Sequence, residues 1–184
     1  MFPAFPQRLL IVSAGDPLWR GGLSGPASLF LHSSRPLISE NRTSTLLHEL
    51  VHVAMRIHGD RESDWMVEGF AEFYSLETLR RSGGISEQRY EEAIQRLANW
   101  GARQPDLFSK HSSGAQTARA VIVLKAADDE IRKLTQGRAS LDDVARELAT
   151  RRGEVSLEML QSIAQKVAGQ PLQSLDRMRL TGVK

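Results

Sequence analysis

The hydrophobic pattern of the first forty residues is typical of short strands. An apolar run at residues 8–13 (RLLIVS), with glycine and proline on its flanks, predicts a short buried strand, and residues 27–32 (ASLFLH) predict a second one. Between them, residues 21–26 (GGLSGP) predict a turn or an irregular strand. We therefore expect residues 1–40 to form a small sheet lobe with antiparallel strands.

The remainder of the chain has apolar positions at helical spacing. In residues 41–58 leucine, valine and alanine recur every three or four positions, and Asn41 or Thr43 is placed to cap the helix. Further helices are predicted to begin at about residues 63, 86, 114, 140 and 156. The predicted fold class is α+β: a small N-terminal antiparallel sheet packed on a mainly α-helical bundle, with the helical lobe in residues 41–184 of one domain spanning residues 1–184.

Composition and charge narrow the class of protein. The 184 residues are 41% hydrophobic and 25% charged, which is typical of a globular domain. A net charge of +2 without any run of like charge does not favour nucleic acid as a partner. No apolar stretch approaches the roughly 20 residues of a transmembrane helix. The absence of cysteine excludes disulfides and thiolate metal ligands, and the first residues lack the features of a signal peptide. Compartment and oligomeric state stay open.

The strongest chemical signal is the sequence HELVH at residues 48–52. On a helix, His48 and His52 lie one turn apart on the same face and can bind one metal ion, while Glu49 lies beside the open coordination position. Glu68, in the next helical pattern, is the expected third ligand. Two histidines, a glutamate and a water molecule form the ligand set of a hydrolytic zinc site. We therefore expect Zn²⁺ as cofactor and Glu49 as the base that accepts the proton of the water.

Other polar residues near the motif have more than one interpretation. Glu72 lies one turn after Glu68, where it could accept a hydrogen bond from the outer nitrogen of a ligand histidine or form a surface salt bridge. His58 fits the spacing of a three-histidine site, but that pattern needs glycine where Met55 stands. With Met55 we expect the helix to continue, so that His58 points to a different face. His32 is expected to be structural or exposed.

The HELVH motif, followed by WMVEGFAEFY at residues 65–74, resembles the gluzincin metallopeptidases, and in particular their glycyl-aminopeptidase branch. Residues 21–23 resemble the start of the family's edge strand, and residues 119–135 and 137–148 resemble its long helix and the helix after it. The resemblance implies a thermolysin-like catalytic domain that acts on a peptide or protein substrate. It implies zinc on His48, His52 and Glu68, Glu49 as base, and a substrate edge formed by Gly22, Leu23 and Ser24.

The chain departs from the family at three points. The family's edge-strand glutamate, which binds the free amino group of a substrate in the aminopeptidases, falls on Ser24. Its oxyanion-stabilising tyrosine aligns without gaps to Thr117, whereas a shifted alignment places His111 there, and an imidazole can stabilise an oxyanion. The family's large β-domain has no counterpart among these residues, so the chain could be a domain excised from a longer, exported protein.

Two functions are compatible with these observations. The first is a zinc-dependent peptidase that hydrolyses peptide bonds with a metal-bound water and Glu49 as general base. The alternative is a degenerate gluzincin-like domain that binds zinc but acts as a binding or structural module. The intact Glu49 favours the peptidase. The missing tyrosine and edge-strand glutamate favour the module.

Overall fold

The computed structural model describes residues 5–18, 20–108, 111–112 and 114–182. Within these ranges the fold is α+β and mostly helical, with a small three-stranded sheet and a two-stranded ribbon. The strands are β1 Leu10–Ala14, β2 Gly22–Gly25, β3 Ser28–His32, β4 His58–Gly59 and β5 Glu154–Val155. The helices are α1 Thr45–Met55, α2 Asp64–Arg81, α3 Glu87–Gly101, α4 Gly114–Leu134, α5 Leu141–Arg151, α6 Leu157–Ala168 and α7 Arg177–Leu180, with a 3₁₀ turn at Gln173–Leu175. Among the described helices, none combines the length and apolar character needed to cross a membrane.

The N-terminal sheet is mixed, so the expectation of antiparallel strands is wrong. The strand order is β1-β3-β2, and β3 is parallel to β1 but antiparallel to β2. The strand β2 runs opposite to β1, and the hairpin that follows it turns β3 back to the direction of β1. Because β3 lies between β1 and β2, it pairs in parallel with one and antiparallel with the other. Residues 21–26, predicted as a turn or an irregular strand, contribute the regular edge strand β2.

The burial predicted for the first strand is also wrong. All five residues of β1 are exposed, with Leu10 at 63%, Ile11 at 52% and Val12 at 43%. β1 lies at the outer edge of the sheet, where it pairs with β3 along one side only. The central strand β3 is better covered, because α1 packs against the sheet and Leu29 is buried.

Helix α2 lies at the centre of the helical lobe. Its aromatic residues Trp65, Phe70, Phe73 and Tyr74 are fully buried, and α2 packs against both α1 and α4. Buried residues occur on most faces of α2, as is typical of a helix in a core. The two helices α2 and α4 approach each other closely at Gly69, where a Cβ would lie 2.6 Å from the Cβ of Ala120. Helix α2 is therefore held from several sides.

Both ends of α1 differ from the prediction. The N-cap is Ser44, whose hydroxyl accepts a hydrogen bond from the Leu47 amide at 3.3 Å, in place of Asn41 or Thr43. The helix stops at Met55 because Arg56 adopts a left-handed conformation with φ of 52°. His58 then pairs with β5, and its amide donates to the Gly153 carbonyl at 3.0 Å. The expectation that the helix continues past Met55 is therefore wrong: a contact with a distant part of the chain takes His58 out of the helix.

Candidate metal centre

His48, His52 and Glu68 converge on one point. The Nε2 atoms of the two histidines are 3.1 Å apart, and the Glu68 carboxylate lies 3.2 Å from Nε2 of His48 and 3.5 Å from Nε2 of His52. Two atoms bound tetrahedrally to one zinc ion at about 2.1 Å are separated by about 3.4 Å. The three side chains are thus spaced as metal ligands, and the group could hold a metal ion.

Two packed helices position the three candidate ligands. The histidines follow each other by one turn on α1, and Glu68 lies on α2, which packs against α1. Their side chains are partly buried, with exposed fractions of 17% for His48, 18% for His52 and 33% for Glu68. The cluster therefore has protein on one side and an open side toward solvent, an arrangement that suits a reactive metal site.

Glu72 contacts the outer nitrogen of His48. Its Oε2 atom is 3.1 Å from Nδ1 of His48, and the carboxylate side chain is only 14% exposed. Such a contact favours a proton on Nδ1 and leaves Nε2 of His48 directed at the other two candidate ligands. The low exposure does not fit a plain surface salt bridge. The contact is the one expected of a carboxylate that orients a ligand histidine, and that role stays a prediction.

The electrostatics of the cluster favour a cation. Burial by itself would lower the pKa of His48, but hydrogen bonds to Glu68 and Glu72 raise it to about 10. Burial and the neighbouring His48 lower the pKa of His52 to about 4. Burial would raise the pKa of Glu68, but the hydrogen bond to His48 and the charges of both histidines bring it below its ordinary value. The positive charge that these carboxylates attract is either an imidazolium proton or a metal ion that displaces it.

Glu49 is buried beside the cluster, with 7% of its surface exposed. Burial raises the pKa of its carboxyl group, and the charge of His48 and a hydrogen bond from Ser24 offset only part of the effect. A carboxylate with a raised pKa is a stronger base. The edge strand approaches closely here: a Cβ on Gly22 would lie 2.8 Å from Oε1 of Glu49. Glycine at this position is what allows β2 to lie against the carboxylate.

A cleft of about 650 Å³ opens beside the candidate ligands. One wall is β2, so that the predicted substrate edge, Gly22, Leu23 and Ser24, faces the same space as Glu49. Since β2 is at the border of the sheet, its outer backbone groups are not paired with another described strand. Arg56, His58, Asp64 and Val67 also line the cleft.

Sequence reasoning gave Asp64 no role in the site, yet it lines this cleft. It is the first residue of α2, and its Oδ2 atom accepts a hydrogen bond from the Ser112 amide at 2.6 Å. Asp64 precedes Glu68 by one helical turn and therefore shares its face. This spacing is the sequence feature that could have predicted Asp64 as part of the site.

A second cavity, of about 450 Å³, lies on the other side of His48 and Glu68. We call it the α3–α4 cavity, because Arg96, Leu97 and Trp100 of α3 and Thr117 and Ala118 of α4 line much of it. Thr117, which aligns with the oxyanion-stabilising tyrosine of the gluzincins, thus faces the same space as His48. The two tyrosines are elsewhere: Tyr74 is buried in the core, and Tyr90 lies beneath the guanidinium group of Arg80.

The other histidines lie outside the ligand cluster. His58 is exposed and lines the cleft, but it does not belong to the candidate metal group found among the described residues. His32 is buried and structural, since its Nδ1 lies 2.7 Å from the Ser34 hydroxyl and its Nε2 lies 3.1 Å from the Asp16 carbonyl. His111 is exposed and is not among the described residues that line either cavity. Its role in oxyanion stabilisation stays a prediction.

Comparison with known proteins assigns no family to the chain. It matches no model of a known protein family, and a search of curated proteins also finds no match. The function is therefore inferred from the side chains of the site.

Proposed function

We propose that this chain is a zinc-dependent peptidase of the gluzincin type. The observation that carries the proposal is the convergence of His48, His52 and Glu68 at 3.1–3.5 Å, with Glu49 buried beside them on an open cleft. Two imidazoles and one carboxylate are a ligand set that suits zinc and leaves a coordination position open. When bound, zinc acts as a Lewis acid and lowers the pKa of a water molecule. The HELVH motif and the later glutamate, which resemble those of the gluzincins, support the same class.

Glu49 has the surroundings of a general base. Its raised pKa favours acceptance of a proton from the attacking water, and the same carboxyl group can then deliver that proton to the leaving amine. The Ser24 hydroxyl donates a hydrogen bond to the carboxylate, which lies close to the edge strand at Gly22. The base is thus fixed by contacts from the sheet as well as by its own helix.

The edge strand β2 offers a binding surface for an extended peptide. A peptide in the cleft can pair with the outer backbone groups of β2 and add a strand to the sheet. Backbone pairing of this kind depends little on the side chains of the peptide. It would place a peptide carbonyl next to Glu49 and the three candidate ligands.

A second candidate function is a zinc-binding module without catalysis. Thr117 and Ser24 favour it, because the gluzincins have a tyrosine and a glutamate at the positions that these residues occupy. The side chain of Thr117 on the cavity wall is shorter than that of a tyrosine, and its hydroxyl group is less acidic than a phenol. The intact and buried Glu49 favours the peptidase.

Metal analysis combined with a peptide-library cleavage assay tests the proposal, on the wild type and on Glu49→Gln. We expect about one zinc ion per chain in both proteins, and hydrolysis that is lower by about 10² or more in the variant, since amide cannot act as the base. Glu91→Gln on the exposed face of α3 makes the same chemical change away from the site and should keep full activity.

Two results would contradict the peptidase assignment. Equal turnover by the wild type and Glu49→Gln would remove Glu49 from the mechanism. Bound zinc without cleavage of any library peptide by the wild type would favour the binding module instead.

A further inference from the structure

The α3–α4 cavity and the cleft beside β2 share two lining residues. His48 and Glu68 line both spaces, so the candidate metal centre lies between them. A peptide that follows β2 and brings a carbonyl group to the centre must continue past it. The residue that follows, or the end of the peptide, then lies at the entrance of the α3–α4 cavity. A volume of about 450 Å³ is within the usual range for a pocket that accepts one large group.

The walls of the cavity are apolar below and polar at the mouth. Ala93, Leu97 and Ala118 are buried and form the apolar part, whereas Trp100 is 48% exposed. The Trp100 ring lies close against the start of α4: a Cβ on Gly114 would be 2.5 Å from its Cη2 atom. The cavity is therefore bounded by packed helices and is formed before a ligand binds.

Arg96 provides a positive charge in the wall of this cavity. The other charged groups that line it are engaged with one another, because His48 contacts both Glu68 and Glu72. Among the described residues, the Arg96 side chain has no hydrogen bond or ion pair with another group. The guanidinium group is exposed at the mouth and is free to bind an anion that enters.

From this arrangement we propose that the α3–α4 cavity selects for a carboxylate on the part of the substrate that enters it, with Arg96 as the partner. A planar guanidinium group and a carboxylate form paired hydrogen bonds, and the apolar wall accepts the carbon chain that carries the carboxylate. The carboxylate is either the side chain of an acidic residue or the free end of the peptide. The inference rests on the proposed function, since it assumes that a peptide passes the metal centre.

The test uses matched peptides on the zinc-loaded chain. One set carries glutamate or glutamine at each position in turn, with both ends blocked; a second set contains only the glutamine forms, with a free or an amidated C-terminus. Binding is measured on the Glu49→Gln protein, so that turnover is not needed, and kcat/KM is measured on the wild type. We expect the carboxylate form to be preferred by about tenfold in one of the two sets, which identifies its source. The preference should fall as salt is added.

The variant Arg96→Gln should lose the preference while it keeps zinc, its melting temperature and its activity on neutral peptides. Arg89→Gln removes the same charge from the exposed face of α3 outside the cavity and should keep the preference. Equal binding of both peptide forms by the wild type, or an unchanged preference in Arg96→Gln, would overturn the inference and leave the peptidase proposal standing. Selective binding without cleavage would support the carboxylate site and contradict the peptidase.

Discussion

Helix α2 and the N-terminal sheet border the same cleft but are packed very differently. From residue 64 to residue 80 no residue of α2 is exposed, whereas every residue of β1 is. The large apolar side chains that are exposed in the described chain also lie mostly in the first forty residues; only Trp100 and Met178 lie elsewhere. The candidate metal ligands thus lie on helices of the core, and the predicted substrate edge lies on a thin sheet.

The difference corresponds to two requirements of the proposed metal-dependent hydrolase. Ligand atoms must keep their spacing to within a few tenths of an ångström, and residues on buried helices meet that demand best. A surface that receives a peptide needs free backbone groups at a strand edge instead. The exposed apolar side chains of the sheet lobe are of the kind that mark interaction surfaces.

Removal of a core-held ligand should have the largest effect. His52→Ala is expected to abolish stoichiometric zinc binding, because His48 and Glu68 alone leave the three-residue ligand set incomplete. His58→Ala, which removes an exposed histidine from the cleft wall, should leave the zinc content unchanged. Metal analysis of the purified variants measures both. If His58→Ala lost zinc while Glu68→Ala kept it, a three-histidine site would replace the one described above.

The packing contrast itself predicts the second largest effect. Gly69→Val should lower the free energy of unfolding by about 3 kcal/mol, because its side chain would collide with Ala120 on α4. Val12→Thr changes an exposed side chain of β1 and should alter the free energy of unfolding by no more than about 0.5 kcal/mol. Denaturant unfolding of the two variants compares them directly. A similar loss in both would mean that the sheet is packed as firmly as the core.

The smallest effect is expected from the end group of a substrate. Ser24 offers no charge at the edge strand, and the cleft is open to solvent, so a free ammonium group gains no charged partner there and keeps much of its hydration. A peptide with an acetylated N-terminus should therefore be cut at least as well as the same peptide with a free amine. Ser24→Glu should shift the preference toward the free amine. A strong preference for the free amine in the wild type would indicate Asp64 as the binding carboxylate, which Asp64→Asn would test.

Local sequence patterns predict the parts of this site that are themselves local. The spacing of His48 and His52 is a property of any helix, and Glu68 lies on the next helix at the turn that faces them. The positions of β1 and β3 were also predicted to within about two residues, because glycine and proline bound the apolar runs, whereas the short strands β4 and β5 were not predicted.

What the sequence does not predict depends on pairing between distant segments. The order of strands, the exposure of β1 and the position of Asp64 on the cleft wall all follow from contacts across the fold. The end of α1 is an instance: pairing of β4 with β5, about a hundred residues away, prevails over the helical preference of the residues after Met55. Local patterns in a single sequence do not show which distant segments will pair.

The hydrogen bond from Ser24 to Glu49 connects the loosely covered sheet to the base on α1. This bond lowers the pKa of Glu49 while burial raises it, so any displacement of β2 alters the proton affinity of the carboxylate. If a peptide docks on β2 as proposed and alters the contact with Ser24, it would also alter the pKa of Glu49. The edge strand would then couple occupancy of the cleft to the protonation of Glu49.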